Sequence, residues 1–179
     1  VNQPRGIIIF GANGSGKTTL ARELARILNF KHMDIEDYYF EEADIPYSKP
    51  RTREECTDLM LADIEKHRDF VISAVNGDFG ENISKYYELA VHLSAPLELR
   101  IARVKQRNID NFGERVLKGG DMYEQQLKFV EFVASRDLSI IEQWAETLTC
   151  PVIRVDGTAD WRLNAANIAL HNLNGELLI

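Results

Sequence analysis

The chain has 179 residues, 45% of them apolar and 27% charged, with 28 acidic against 21 Lys or Arg side chains and a formal net charge of −7. This balance excludes a disordered chain, which needs low hydrophobicity and high net charge. It also argues against nucleic acid or an anionic membrane as a partner, since phosphate surfaces recruit basic ones. Cys56 and Cys150 have neither metal nor disulfide spacing, and no stretch approaches the roughly eighteen apolar residues of a membrane span. A soluble, cytoplasmic protein is expected, monomeric or homodimeric.

Residues 7–10, rich in β-branched side chains, predict a short buried strand. Residues 16–28 follow as a helix with Leu20, Leu24, Ile27 and Leu28 at helical spacing. Residues 31–35 read as a second strand and 36–43 as a short acidic helix. Pro46 and Pro50 mark irregular backbone over 45–52. Residues 53–67 predict an amphipathic helix with Leu59, Leu61 and Ile64 on its apolar face. Further strands are expected at 70–75 and 90–93, the latter ended by Pro96. A basic helix over 97–107 leads into a mobile loop at 108–121 containing Gly113, Gly119 and Gly120. The helical stretch 122–149 is open to a break at Asp137 and Ser139. Residues 152–155 form the fifth strand and 160–172 the last helix. Strands separated by helices imply an α/β fold with a parallel sheet covered on both faces. The chain reads as one domain over 1–179, with insertions near 36–67 and 108–121.

Between the first strand and helix lies Gly11-Ala12-Asn13-Gly14-Ser15-Gly16-Lys17-Thr18, the G-x-x-x-x-G-K-[ST] pattern. Glycines let successive backbone N–H groups converge on an anion, and the following helix adds the positive end of its dipole. Lys17 is expected to reach the β- and γ-phosphates and the Thr18 hydroxyl to ligate magnesium. Thr19 is expected at the α-phosphate. ATP and Mg²⁺ are therefore the expected cofactors.

With its phosphate loop in the first strand–helix unit, the chain resembles the small P-loop kinases of the adenylate kinase and shikimate or gluconate kinase group. The resemblance implies a P-loop NTPase fold, a five-stranded parallel sheet of order 2-3-1-4-5 with helices on both faces, and a short lid. His32-Met33-Asp34-Ile35-Glu36-Asp37 stands where shikimate-type kinases carry Asp-x-Asp. It implies Asp34 near magnesium or as the base, with Glu36 or Asp37 holding the acceptor. Arg53 matches an Arg that grips an anionic acceptor. In Val75-Asn76-Gly77-Asp78-Phe79-Gly80, Asp78 is a further acceptor-side or magnesium-side carboxylate. This turn departs from the Asp-Gly-aromatic-Pro-Arg of nucleotide kinases, which argues against a nucleoside monophosphate acceptor. Arg103 and Arg107 share a helix face, and the resemblance implies that one of them, with Arg107 preferred, stacks on adenine. Arg115, with Lys118 behind it, matches a lid cation that reaches the β/γ-phosphates. Arg136 matches an Arg that binds the acceptor's anion, and Asp156-Gly157-Thr158 a turn bordering adenine.

Taken together, these residues imply an ATP- and magnesium-dependent phosphotransferase acting on a small, anionic, hydroxyl-bearing metabolite such as a sugar acid. Alternatives are a nucleoside or nucleotide kinase of the same fold, or a nucleotide-binding regulatory NTPase. The charge distribution agrees with a kinase cleft. Residues 98–118 carry six basic and three acidic groups, whereas Asp34 to Asp44 holds six carboxylates and no Lys or Arg.

Overall fold

The computed structural model describes residues 3–174. Five parallel strands form one sheet in the order β2-β3-β1-β4-β5, as the resemblance implied. Strand β1 (Arg5–Phe10) lies at the centre, between β3 (Asp69–Ala74) and β4 (Tyr87–Ser94). Strand β2 (Lys31–Asp34) flanks β3, and β5 (Val152–Asp156) flanks β4.

The period-2 alternation of a strand explains why β1 is apolar at every core position. Ile7 and Ile9 face helices α1 (Lys17–Leu28) and α8 (Trp161–Asn174), packing with Leu20, Leu24, Ala165 and Ile168. Ile8 and Phe10 face the other side, with Met60 and Ile64 of α3 (Arg53–His67) and Ile141 of α7 (Ser139–Ala145). Each fully buried side chain of this size contributes roughly 1.5–3 kcal/mol over its exposed state. The sheet is thus rigid where its strand ends present the chemistry.

Four local expectations change. On α3 the buried stripe is Cys56, Met60 and Ile64, and Leu59 is 43% exposed. An i, i+4, i+8 row containing a Cys and a Met is a quieter apolar signal than two leucines, yet it is the row turned to the sheet. The acidic helix shrinks to α2 (Ile35–Tyr39), because Phe40 leaves helical backbone and bridges to Pro50. A single turn, α4 (Glu81–Ser84), was not anticipated. Helix α5 (Leu97–Phe112) takes in the first five residues of the expected 108–121 loop and ends where Gly113 takes positive φ, followed by a 3₁₀ turn at Gly113–Val116. The polar run 106–111 hid that extension, but it contains no helix breaker. Helix α6 (Tyr123–Ser135) and α7 are separate, as Asp137 and Ser139 suggested. The Asp137 carboxylate accepts hydrogen bonds from the backbone N–H and hydroxyl of Ser139. No helix among the described residues is long and apolar enough to cross a membrane.

Candidate active site

The glycine-rich loop leaves β1 and enters α1 at the carboxyl edge of the sheet, where open α/β sheets bind ligands. Gly14 and Gly16 have φ of 80° and 104°, which turns the chain so that its N–H groups converge. A Cβ on Gly14 would run into the backbone carbonyl of Arg100. The loop's outward carbonyls are tied from α5. Arg100, only 5% exposed, donates to Asn13 O at 3.2 Å and to Ala95 O at 3.1 Å. Arg103 donates to Ser15 O at 3.1 Å and to Gly157 O at 2.9 Å. Gly157 itself rests on the loop, since a Cβ there would lie 2.7 Å from Ser15 O.

Beside the loop is a cavity of about 370 Å³ lined by Lys17, Thr18, Thr19, Arg103, Arg107 and Trp161, among others. Both Arg103 and Arg107 reach it, so α5 presents two guanidinium groups to one pocket. Trp161 was missed from sequence. Its only signal is its position four residues after the Asp156-Gly157 turn, at the start of α8. The Arg162 guanidinium lies 4.0 Å over its ring.

The Lys17 ammonium donates to Ala12 O at 3.0 Å. Burial pushes its pKa down to about 8, opposed by Glu36 and Asp34 and reinforced by Arg107 and Arg136. The Thr18 hydroxyl donates to Asp34 Oδ2 at 2.8 Å, while Asp34 Oδ1 accepts the Glu36 N–H at 3.1 Å and so caps α2. A hydroxyl and a carboxylate side by side are hard oxygen donors. Magnesium takes one or two such protein ligands and fills its octahedron with water and phosphate oxygens.

A second cavity, of about 240 Å³, opens on the far side of Arg107. Arg107 lines both cavities, and its Nε is buried without a hydrogen-bond partner. Glu36 stands in the second cavity's wall. Burial raises its pKa, with the nearby Asp34 adding to the shift and Arg107 and Lys17 opposing it. The remaining wall combines four rings, Phe40, Tyr47, Phe112 and Phe129, with Val116, Met122 and the amides of Asn108, Gln125 and Gln126. None of these four rings forms a local pattern in sequence, because they come from the 36–67 insertion, α5 and α6.

Of the other expected site residues, Arg53, Asp78 and Arg115 lie away from the two cavities, whereas Arg136 stands beside the phosphate loop. Arg53 pairs with Asp78 at 3.3 Å, both well exposed, and neither lines the two cavities. The turn after β3 is closed by packing. A Cβ on Gly77 would lie 2.8 Å from the Trp144 ring, so the indole packs directly on the turn. Arg136 donates to Asn13 Oδ1 at 3.1 Å, which sets it against the phosphate loop. Arg115 pairs with Asp121 at 2.8 Å and donates to Asp44 O at 3.3 Å, so it bridges the 3₁₀ turn to the 36–67 insertion. The fold therefore gathers residues 11–19, Asp34, Glu36, Arg107 and Arg136 around one edge and leaves Arg53, Asp78 and Arg115 in ion pairs outside it.

Comparison with known proteins agrees with this geometry. The family described as AAA domain matches residues 7–118. The chain is 29% identical over 160 residues to the uncharacterized protein YqaC of Bacillus subtilis, covering 85% of this chain and 88% of that one. It is 30% identical over 158 residues to a shikimate kinase of Clostridium botulinum, covering 80% and 86%. It is 28% identical over 149 residues to a cytidylate kinase of Haloarcula marismortui, covering 76% and 77%. The fold matches the structure of shikimate kinase from Acinetobacter baumannii in complex with shikimate, with a TM-score of 0.54 at 19% identity over 98% of this chain and 96% of that one. Phosphate loop, strand order and relatives converge: the chain belongs to the AAA-domain family of P-loop proteins and is a small P-loop kinase.

Proposed function

We propose that the protein transfers the γ-phosphoryl group of ATP, with magnesium, to a hydroxyl of a small metabolite. The observation that carries this reading is that the loop-side cavity and the second cavity meet at one side chain, Arg107, with Lys17, Asp34 and Glu36 beside it. A pure hydrolase needs no second cavity there. Residues 11–19 would cradle the phosphates. Magnesium, held through Thr18 and Asp34, would neutralise phosphate charge. Lys17, Arg107 and Arg136 would meet the charge that spreads over the transferring group. The acceptor oxygen forms its bond to Pγ as the bond from Pγ to the bridging β-oxygen breaks, and the hydroxyl proton passes to a carboxylate. Asp34 is already engaged by Thr18 and the Glu36 N–H, so Glu36 is the carboxylate on the acceptor side.

An anionic acceptor rested on Arg53 and Arg136. Arg53 is paired with Asp78 and Arg136 is bonded to Asn13, so such an acceptor would have to displace either partner. A hydroxyl acceptor that carries no obligatory anion fits this arrangement better. A nucleoside or nucleotide acceptor remains the second reading, supported by the cytidylate kinase similarity. The test is ADP release from ATP-magnesium across a metabolite panel, with Lys17→Ala as the control. Acceptor-stimulated release that vanishes in Lys17→Ala is expected. Steady hydrolysis unaffected by every metabolite would point instead to a regulatory NTPase.

A further inference from the structure

Resting on that reading, we propose that the acceptor is an uncharged alcohol built on a planar unsaturated ring, seated among Phe40, Tyr47, Phe112 and Phe129. Size is the first argument. The cavity holds about 240 Å³, against about 150 Å³ for an engineered cavity that takes benzene. It has room for one ring with a short hydroxyl-bearing arm.

The walls are the second. Tyr47 lies edge-on to Phe40 with ring centroids 5.2 Å apart and edge-on to Phe112 at 6.3 Å. These perpendicular rings offer π-faces and edges to a flat guest. A sugar acid, with hydroxyls on every face, would leave several unpaired against such walls. Besides Glu36 and Arg107, the polar side chains of the wall are the amides of Asn108, Gln125 and Gln126. The Asn108 side-chain amide donates to Gln126 Oε1, and the Gln125 amide binds Pro46 O at 3.3 Å. Amides of this kind suit the nitrogen or carbonyl edge of a heterocycle.

Charge is the third. Glu36, Phe40, Tyr47 and Phe112 are shared with a broad basin that also takes in Asp37, Glu41, Glu42 and Asp44 against one cation, Arg51, and this negative balance repels an anionic guest. The cation of the cavity wall, Arg107, is shared with the phosphate side. Tyr47 also has φ of 63°, a left-handed conformation that a bulky residue adopts only when its surroundings hold it there. Its ring is in edge-on contact with both Phe40 and Phe112.

The test titrates uridine, pyridin-3-ylmethanol and shikimate into the protein and follows ADP release with ATP-magnesium. Phe112→Leu and Phe129→Leu keep apolar bulk and remove the ring, and ATP affinity serves as the folding control. Both ring probes should bind in the millimolar range expected of fragments, and at least one should accept phosphoryl. Each Leu variant should weaken ring binding about ten-fold. Transfer to uridine alone identifies a nucleoside-type acceptor, and transfer to pyridin-3-ylmethanol alone an aryl alcohol. Failure of both ring probes to bind, or ring binding unchanged in both variants, overturns the proposal. So does transfer to shikimate without ring binding, and that result leaves the kinase reading intact. Ring binding without transfer to any acceptor overturns the kinase reading and with it the ring compound's role as acceptor.

Discussion

Lys17 has two guanidinium groups and two carboxylates around it, and loss of solvation dominates its titration, bringing the pKa to about 8. The sign of the consequence follows. Above about pH 8 the free protein holds Lys17 increasingly neutral, whereas bound phosphate favours the ammonium and raises the pKa. Nucleotide binding at pH 9 should therefore take up close to one proton, and at pH 7 almost none. Titration calorimetry in two buffers of different ionisation enthalpy measures this directly. Equal heats in both buffers at pH 9 would mean that Lys17 does not meet the phosphates.

At the scale of elements, short helices place the carboxylates. Helix α2 is five residues long and owes its start to Asp34, whose side chain also meets Thr18. One residue thereby ties the phosphate loop to the acceptor side. Helix α3 is secured by a capping box in which Thr52 and Glu55 satisfy each other's backbone N–H groups. It buries Cys56, Met60 and Ile64 against the sheet. Thr52→Ala should cost about 1 kcal/mol of stability, read as a lower urea midpoint at unchanged slope. ATP affinity should stay close to wild type, since Thr52 lines neither cavity.

Across the whole molecule, the insertion and the lid segment hold each other. Arg115 reaches Asp44 O, Gln125 reaches Pro46 O, and Tyr47 meets Phe112, three contacts that tie the two segments together beside the second cavity. In the proposed reaction such ties would limit the access of water to a reactive phosphoryl group. Arg115→Ala, which removes the Asp121 pair and the Asp44 link together, should raise acceptor-free ATP hydrolysis severalfold and raise the acceptor KM. Assays with and without acceptor separate this outcome from a direct phosphate contact, which would lower both rates.

The sequence by itself determined the strand–helix alternation, the place of the phosphate loop and the break at Asp137. Each of these is local, written in β-branched runs, glycines and an Asx turn. The family resemblance supplied the strand order. The sequence also marked the separation of charge, with carboxylates from Asp34 onward and cations from Arg100 onward. Only the tertiary structure decided which of those charges share a site. Arg53, Asp78 and Arg115 stand in ion pairs that nothing local announces, because a free cation or carboxylate near a turn is locally indistinguishable from a paired one. Their partners lie 25 residues away for Arg53 and 6 and 71 away for Arg115. The aromatic cavity is the opposite case. Phe40, Tyr47, Phe112 and Phe129 carry no local pattern, and they meet only because α5, α6 and the insertion converge beyond the strand ends.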